Sequence, residues 1–191
     1  MSAILRASGT QFDVDAFLAD SSFLAMNVYR KGEPSLPVSK PDGRKNARSG
    51  INVEVSGAGF DDIELQFKEV FFFMRDHANE LSRLRDFDGV ENLCIDFGAD
   101  IYPPGYSCFR FPFALLGMAG KLKLDLELSV YPTDSEDESI GDDRRLELEE
   151  LYEEYLADSA ADVEQGVVVP SRPLPPSAKS TSFVRGSEGL S

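Results

Sequence analysis

Tryptophan is absent from the 191 residues, histidine occurs once and cysteine twice. These shortages narrow the chemistry before any pattern is sought. A Ser-His or Cys-His nucleophilic pair would have to use His77. A zinc site would need Cys94, Cys108 and His77, which lie far apart in sequence. His77 sits between Met74 and Leu81 at the edge of an apolar stripe, where a structural role is expected. Two thiols make a poor disulfide framework, and both cysteines read as ordinary core or strand residues. No apolar run reaches the roughly 18 residues of a spanning helix. The opening stretch Met1–Gly9 turns polar too soon for a signal-peptide core, so cytoplasm is the expected compartment. Gly57-Ala58-Gly59 lacks the Gly and Lys that complete a phosphate loop and reads as a turn. No cofactor is implied.

Positive charge is also scarce. Nineteen Lys and Arg stand against 34 Asp and Glu, giving a net charge of −15. Such a chain repels nucleic acid and anionic lipid and favours a basic partner. The acidity is unevenly spread. Residues 1–133 hold 14 basic and 19 acidic residues, 134–165 hold 2 and 14, and 166–191 hold 3 and 1. The expected organisation follows: a globular domain at 1–133, an acidic linker and amphipathic helix at 134–165, and a disordered tail rich in Pro, Ser and Gly at 166–191. Arg172-Pro173-Leu174-Pro175-Pro176 in the tail has the composition of a polyproline ligand.

What is abundant is apolar patterning, with 14 Phe and 6 Tyr. Ile4–Ala7 starts a strand stopped by Gly9. Asp13 caps a short helix bearing Val14, Phe17 and Leu18. Phe23–Tyr29 and Ser49–Ser56 read as strands, the second with Ile51, Val53 and Val55 on one face. Asp61 and Asp62 open the longest helix, whose stripe is Ile63, Phe67, Val70, Phe71, Met74, Ala78 and Leu81. Phe72 and Phe73 widen that stripe, so a further element should cover their flank. Leu93, Ile95 and Phe97 alternate in another strand. Pro103-Pro104-Gly105 makes a loop, Phe109–Phe111 a short edge strand, and Phe113–Lys121 a helix behind Pro112. Leu122, Leu124, Leu126, Leu128 and Val130 alternate in the last strand. The fold class is α+β: a ferredoxin-like or related two-layer sandwich, its sheet mixed but mostly antiparallel, its helices on one face.

Three groups carry candidate chemistry. Leu148, Leu151, Tyr152, Tyr155 and Leu156 form a helical stripe that either docks on the core over Phe72 and Phe73 or meets a partner. The partner-binding residues on the second reading are Glu149, Glu150, Leu151, Tyr152, Glu153, Glu154 and Tyr155. The loop 30–49 carries a local excess of four positive charges. It either binds an anion through Arg44 and Arg48, stays solvated, or pairs with the chain's own acidic helix. On the wet sheet face Asn52, Glu54, Asp96, Asp125 and Glu127 accompany Lys123. Four carboxylates there are either a solvated surface or a cation or acid–base site. Their sign argues against RNA on the sheet.

Ser49–Ser56, Asp96-Phe97-Gly98, Phe111-Pro112 with Leu115-Leu116 and Ala119-Gly120, and Leu126–Pro132 resemble, in order and spacing, a family of small uncharacterised bacterial proteins, a domain of unknown function. The resemblance covers about residues 1–133. It implies a bacterial cytosolic protein and names no activity; small acidic bacterial α+β immunity proteins are an analogy. The expected function is a non-enzymatic protein-binding module of immunity type with a basic protein partner. The alternatives left open are a small-anion-binding protein using the loop 30–49 and a metal-dependent enzyme using the carboxylates.

Overall fold

Alternation turns Leu5 and Ala7 of β1 (Ile4–Gly9), Ile51 and Val53 of β3 (Ser49–Glu54) and Leu93, Ile95 and Phe97 of β4 (Asn92–Ile101) to one side, and all seven are buried. A computed structural model describes residues 3–35, 43–101, 108–132 and 148–156. The chain is α+β, with a mixed five-stranded sheet in the order β2-β3-β1-β4-β5. Strand β1 is antiparallel to both neighbours, Leu5 facing Val53 on β3 and Ile95 on β4. The short β2 (Asn27–Tyr29) is antiparallel to β3, and β5 (Asp125–Pro132) is parallel to β4. Because β3 and β4 both oppose β1, they run in the same direction with β1 between them. Helices α2 (Ile63–Asp76) and α3 (Ala78–Arg85) join them, which makes a split βαβ unit. Helix α4 (Phe113–Leu122) joins the parallel pair β4 and β5, as a parallel pair requires.

The helices meet the dry face. Phe67 of α2 packs edge-on against Phe97 at 5.0 Å between centroids, and both rings touch Phe111. Arg6, Glu54, Asp125 and Glu127 on the opposite face are exposed. Helix α1 (Val14–Ala19) starts where Asp13 accepts the Ala16 amide, and it buries Val14 and Phe17. Gly89 lets β4 begin close beneath this entry. Its φ is +83°, and a Cβ there would collide with the backbone of Gln11 and Phe12.

One face of α2 is polar where it is buried, which the apolar stripe did not announce. Glu69 and Gln66 are 7% and 0% exposed. Oε2 of Glu69 accepts from Ser56 Oγ at 2.6 Å, the Gly57 amide at 2.7 Å and the Ala58 amide at 3.2 Å. Gln66 Nε2 donates to the Gly59 carbonyl at 2.6 Å and the Gly98 carbonyl at 2.8 Å. Residues 56–59 therefore form a connection whose polar groups are answered by α2. The donors of the Gly57–Ala58 turn hold a carboxylate from the chain itself.

Several boundaries differ from the expected ones, each for a local reason. The long helix divides at His77, whose backbone (φ −109°, ψ 20°) leaves the helical region, so Ala78 and Leu81 belong to α3. The strand expected at Phe23–Tyr29 begins at Asn27. Phe23 instead turns inward to stack on Phe73 and lean on Phe17. Phe109–Phe111 is not a strand; Phe111 is drawn into the aromatic cluster. Leu122 ends α4 rather than starting β5. Lys123 takes a left-handed conformation (φ 54°), and the Leu124 amide bonds the Ala119 carbonyl, closing the helix before the strand begins. The loop at Pro103–Gly105, the acidic stretch 134–143 and the tail 166–191 with its Arg172–Pro176 run lie outside the described residues.

A charged cluster ties α3 to the loop after α1. Arg83 lies over the Phe17 ring at 4.2 Å, donates to the Phe17 carbonyl and makes two bonds to Glu80. Ser21 Oγ donates to the same carboxylate at 2.5 Å. The Arg83 hydrogen bond, opposed by burial and aided by Ser21, lowers the Glu80 carboxyl from its ordinary 4.5 to about 2.

Two measurements follow from these contacts. Glu69→Ala strands three donors in the 56–58 turn and should cost about 2–4 kcal/mol in urea unfolding. A loss below about 0.5 kcal/mol would mean that water serves the turn equally well. Glu80 has a folded pKa below its unfolded one. Its stabilisation is therefore full above the unfolded value and fades as pH falls through the folded one. The stability gap between the native chain and Glu80→Gln should accordingly shrink between about pH 5 and pH 2. A gap that stays constant over that window would contradict the assignment.

Candidate functional site

Residues 148–156 form a fifth helix, α5, and its docking settles which side faces outward. Tyr152 is 8% exposed and packs edge-on against Phe71 at 5.3 Å and Phe72 at 6.5 Å. Lys68 of α2 reaches Glu149 at 2.9 Å. The flank of Phe72 is covered as expected, but Phe73 is not part of it. Phe73 packs with Phe23 and His77 instead. Of the seven candidate partner-binding residues, Tyr152 is thus buried and Glu149 is engaged by Lys68. Glu150, Leu151, Glu153 and Glu154 are exposed, Leu151 at 46%. Leu151 leaves the stripe in which it was expected. The first compact unit ends at Glu153; Glu154 and Tyr155 fall in a second unit, 154–191, of which residues 154–156 are described.

The polar sheet face is built by register. Arg6 on β1 lies opposite Cys94 on β4 and Asn52 on β3, at the middle of the sheet. Its guanidinium reaches Asp96, the next outward position on β4, at 2.5 Å. Ser129 on β5 donates to the other Asp96 oxygen at 2.8 Å. Asp96 is only 4% exposed, so it is a held structural anion and not part of a solvated or metal-binding set. This corrects the four-carboxylate reading: Glu54, Asp125 and Glu127 remain exposed, Asp96 does not. Among the described residues, no group of three or more His, Cys, Asp and Glu is placed to hold a metal ion. Sequence reading missed Arg6 and Ser129 as its partners. Their only signal was their polar phase in otherwise apolar strands.

Cys94 sits in the same face. Burial first, and then the nearby Glu127 carboxylate, push its thiol up to about 12. A thiol so reluctant to ionise is a poor nucleophile. Cys108, expected in core or strand, is exposed in an irregular segment, and both thiols are free. His77 stacks near Phe73 at 4.7 Å and Phe23 at 5.7 Å, where it terminates α2.

Arg30 and Arg48 of the loop after β2 pair with the body of the domain. Arg30 grips Asp15 through two bonds of 2.8 and 2.6 Å, and this hydrogen bonding holds the Asp15 carboxyl below its usual range. Arg48 lies 3.4 Å from Glu91, which also accepts from the amide and hydroxyl of Thr10. The Thr10 bonds lower the Glu91 carboxyl, with Arg48 and Lys31 adding to the effect. The Arg44 carbonyl accepts from the Ser35 amide and hydroxyl beside the Pro34–Lys45 bridge. An open cleft of about 340 Å3 between this loop and α1 is lined by Arg30 and Lys31, but also by Asp13 and Asp15. Mixed charge there gives an anion no net attraction. Among the described residues no helix is long and apolar enough to cross a membrane.

The two thiols should separate in labelling. With an aromatic disulfide reagent near about pH 8, Cys108 reacts at once and Cys94 only after denaturant is added. Equal native rates would place Cys94 in a far more open setting than the sheet gives it.

Comparison of the chain with protein-family models, with curated proteins and with solved structures returns no match. The function is therefore argued from the residues above.

Proposed function

We propose that the chain is a non-enzymatic protein-binding module whose partner is a basic protein. The observation that carries this reading is the outward side of α5. Docking consumes Tyr152 and Glu149, and what faces away is Glu150, Leu151 and Glu153, two carboxylates beside an exposed leucine. A stripe of that composition on a helix held in place by aromatic packing is preorganised for a cationic, partly apolar surface. The net charge of −15 adds long-range steering towards the same kind of partner. Of the side chains that would serve nucleophilic chemistry, His77 is held among phenylalanine rings and Cys94 is buried, while Cys108 is exposed and free.

The class that fits is an inhibitor that neutralises a basic toxin, by analogy with small acidic immunity proteins. A bacterial cytosolic setting accords with the two free thiols. For the fold, kinship with the ferredoxin-like sandwich is supported by the split βαβ unit around β1, while the parallel edge strand β5 departs from that pattern. The anion-binding alternative draws less support, since Arg48 faces Glu91.

The test uses a cationic helical peptide of Lys and Leu as probe. Binding should weaken by at least about tenfold between roughly 50 and 300 mM salt. Glu150→Gln together with Glu153→Gln should produce a similar loss at low salt. Binding that ignores both salt and these substitutions would rule out the acidic face of α5 as the contact.

A further inference from the structure

A five-stranded sheet has two edges, and here they differ. At one end β2 has three residues and is too short to template another strand. At the other, β5 has eight residues in unbroken register with β4, from Cys94–Asp125 to Ile101–Pro132. Among the described residues no strand pairs with its far side. Natural edges of this length are usually blunted by charged side chains, lysine above all, by prolines or by bulges. Asp125–Tyr131 has no lysine, proline or bulge; its charges are the carboxylates Asp125 and Glu127, which repel another acidic strand but not a basic one, and Pro132 comes at its end.

The two faces of β5 are also distinct. On the polar face Asp125 and Glu127 are exposed. On the dry face Leu126 and Leu128 are half-covered and Val130 is 46% exposed. Helix α4, which leads into β5, leaves Phe113 77% and Leu116 50% exposed. The edge therefore offers an open hydrogen-bonding ladder with carboxylates on one face and uncovered apolar side chains on the other.

We infer that β5 is a strand-addition site for an extended segment of a protein partner in which basic and apolar residues alternate. This rests on the basic-partner reading above and adds where and how that partner is held. Main-chain bonds to β5 would supply affinity. Lys or Arg side chains would meet Asp125 and Glu127, and the alternate apolar side chains would extend the row of Leu126, Leu128 and Val130. Charge selects this occupant over a second copy, which would bring a further −15 and its own acidic β5 to the same edge.

The experiment uses the full chain and a synthetic peptide as long as β5, alternating Lys and Val, with a second peptide N-methylated at alternate residues. The first peptide should slow amide exchange along Asp125–Pro132, and N-methylation should weaken its binding by at least about tenfold because the ladder is lost. Asp125→Lys with Glu127→Lys should weaken it comparably. Equal binding of the two peptides overturns strand addition while leaving the acidic-module reading intact. If neither this peptide nor the helical one binds in a salt-dependent way, both readings fall. Amides of β5 that are fully protected in the free chain would mean the edge is already filled. Dimerisation abolished by the β5 substitutions would identify the occupant as a second copy. Either result also overturns the proposal.

Discussion

A carboxylate inside a protein must find donors or it will not stay there, and Glu69 finds them in the turn at Ser56, Gly57 and Ala58. The contact decides more than one turn. It pins the end of β3 to the first half of α2, so the helix leaves the strand along one path. Gln66, one turn earlier, fastens the same helix to Gly59 and to the Gly98 carbonyl of β4. The split βαβ unit is thus held at both strands by two polar side chains of one helix. Hydrophobic burial of Phe67, Val70, Phe71 and Met74 drives the helix onto the sheet. Direction and register come from the polar pair, since apolar packing is tolerant of small slides and hydrogen bonds are not.

That division explains what was legible in the sequence. Strict alternation in β3 and β4 marked the dry face, because period two leaves no freedom once one face is covered. Asp13 as a helix cap was equally readable; Asp62, expected in the first turn of its helix, is instead the cap, and each accepts the amide three residues on. Glu69 and Gln66 were not readable, because a polar residue in an amphipathic helix reads as solvent-facing unless its donors are known, and those donors lie across a loop. Phe23 misled in the opposite way. A β-prone run from Phe23 to Tyr29 looks like a strand, yet an aromatic cluster with Phe17, Phe73 and His77 claims its first member. The break at His77 and the left-handed Lys123 had no local signal, since neither position carries the glycine that usually marks such a turn.

The candidate surface was half legible. The acidic stripe of α5 was visible in sequence, and the outward residues Glu150 and Glu153 are among those expected. Which residues the docking removes depends on helix phase, set by Tyr152 against Phe71 and Phe72. That phase moves Leu151 outward, although its spacing suggested the core. On the sheet, residue type alone could not separate Asp96 from Glu54, Asp125 and Glu127. The strand order does so, by bringing Arg6 and Ser129 to Asp96 from the neighbouring strands on either side.

The acidic field itself depends on where the bases go. Arg30 is committed to Asp15, Arg48 to Glu91, Arg83 to Glu80, Arg85 to Asp86 and Arg6 to Asp96. Each pair is local and neutral, and most lie at the exposed surface, where such pairs add little stability. Their larger effect is on the charge left over. With these cations answered in place, Glu54, Asp125, Glu127, Glu150 and Glu153 stand exposed with no ion-pair partner among the described residues. Exposed carboxylates also stand elsewhere, at Asp20, Asp61 and Asp88, and the two groupings that the proposals above use are the β5 edge and the outer side of α5. They are also where the apolar side chains Leu151 and Val130 are uncovered. For the basic partner proposed above, long-range attraction and short-range burial would then act at the same places, and it is that coincidence that would distinguish an interface from a merely acidic coat.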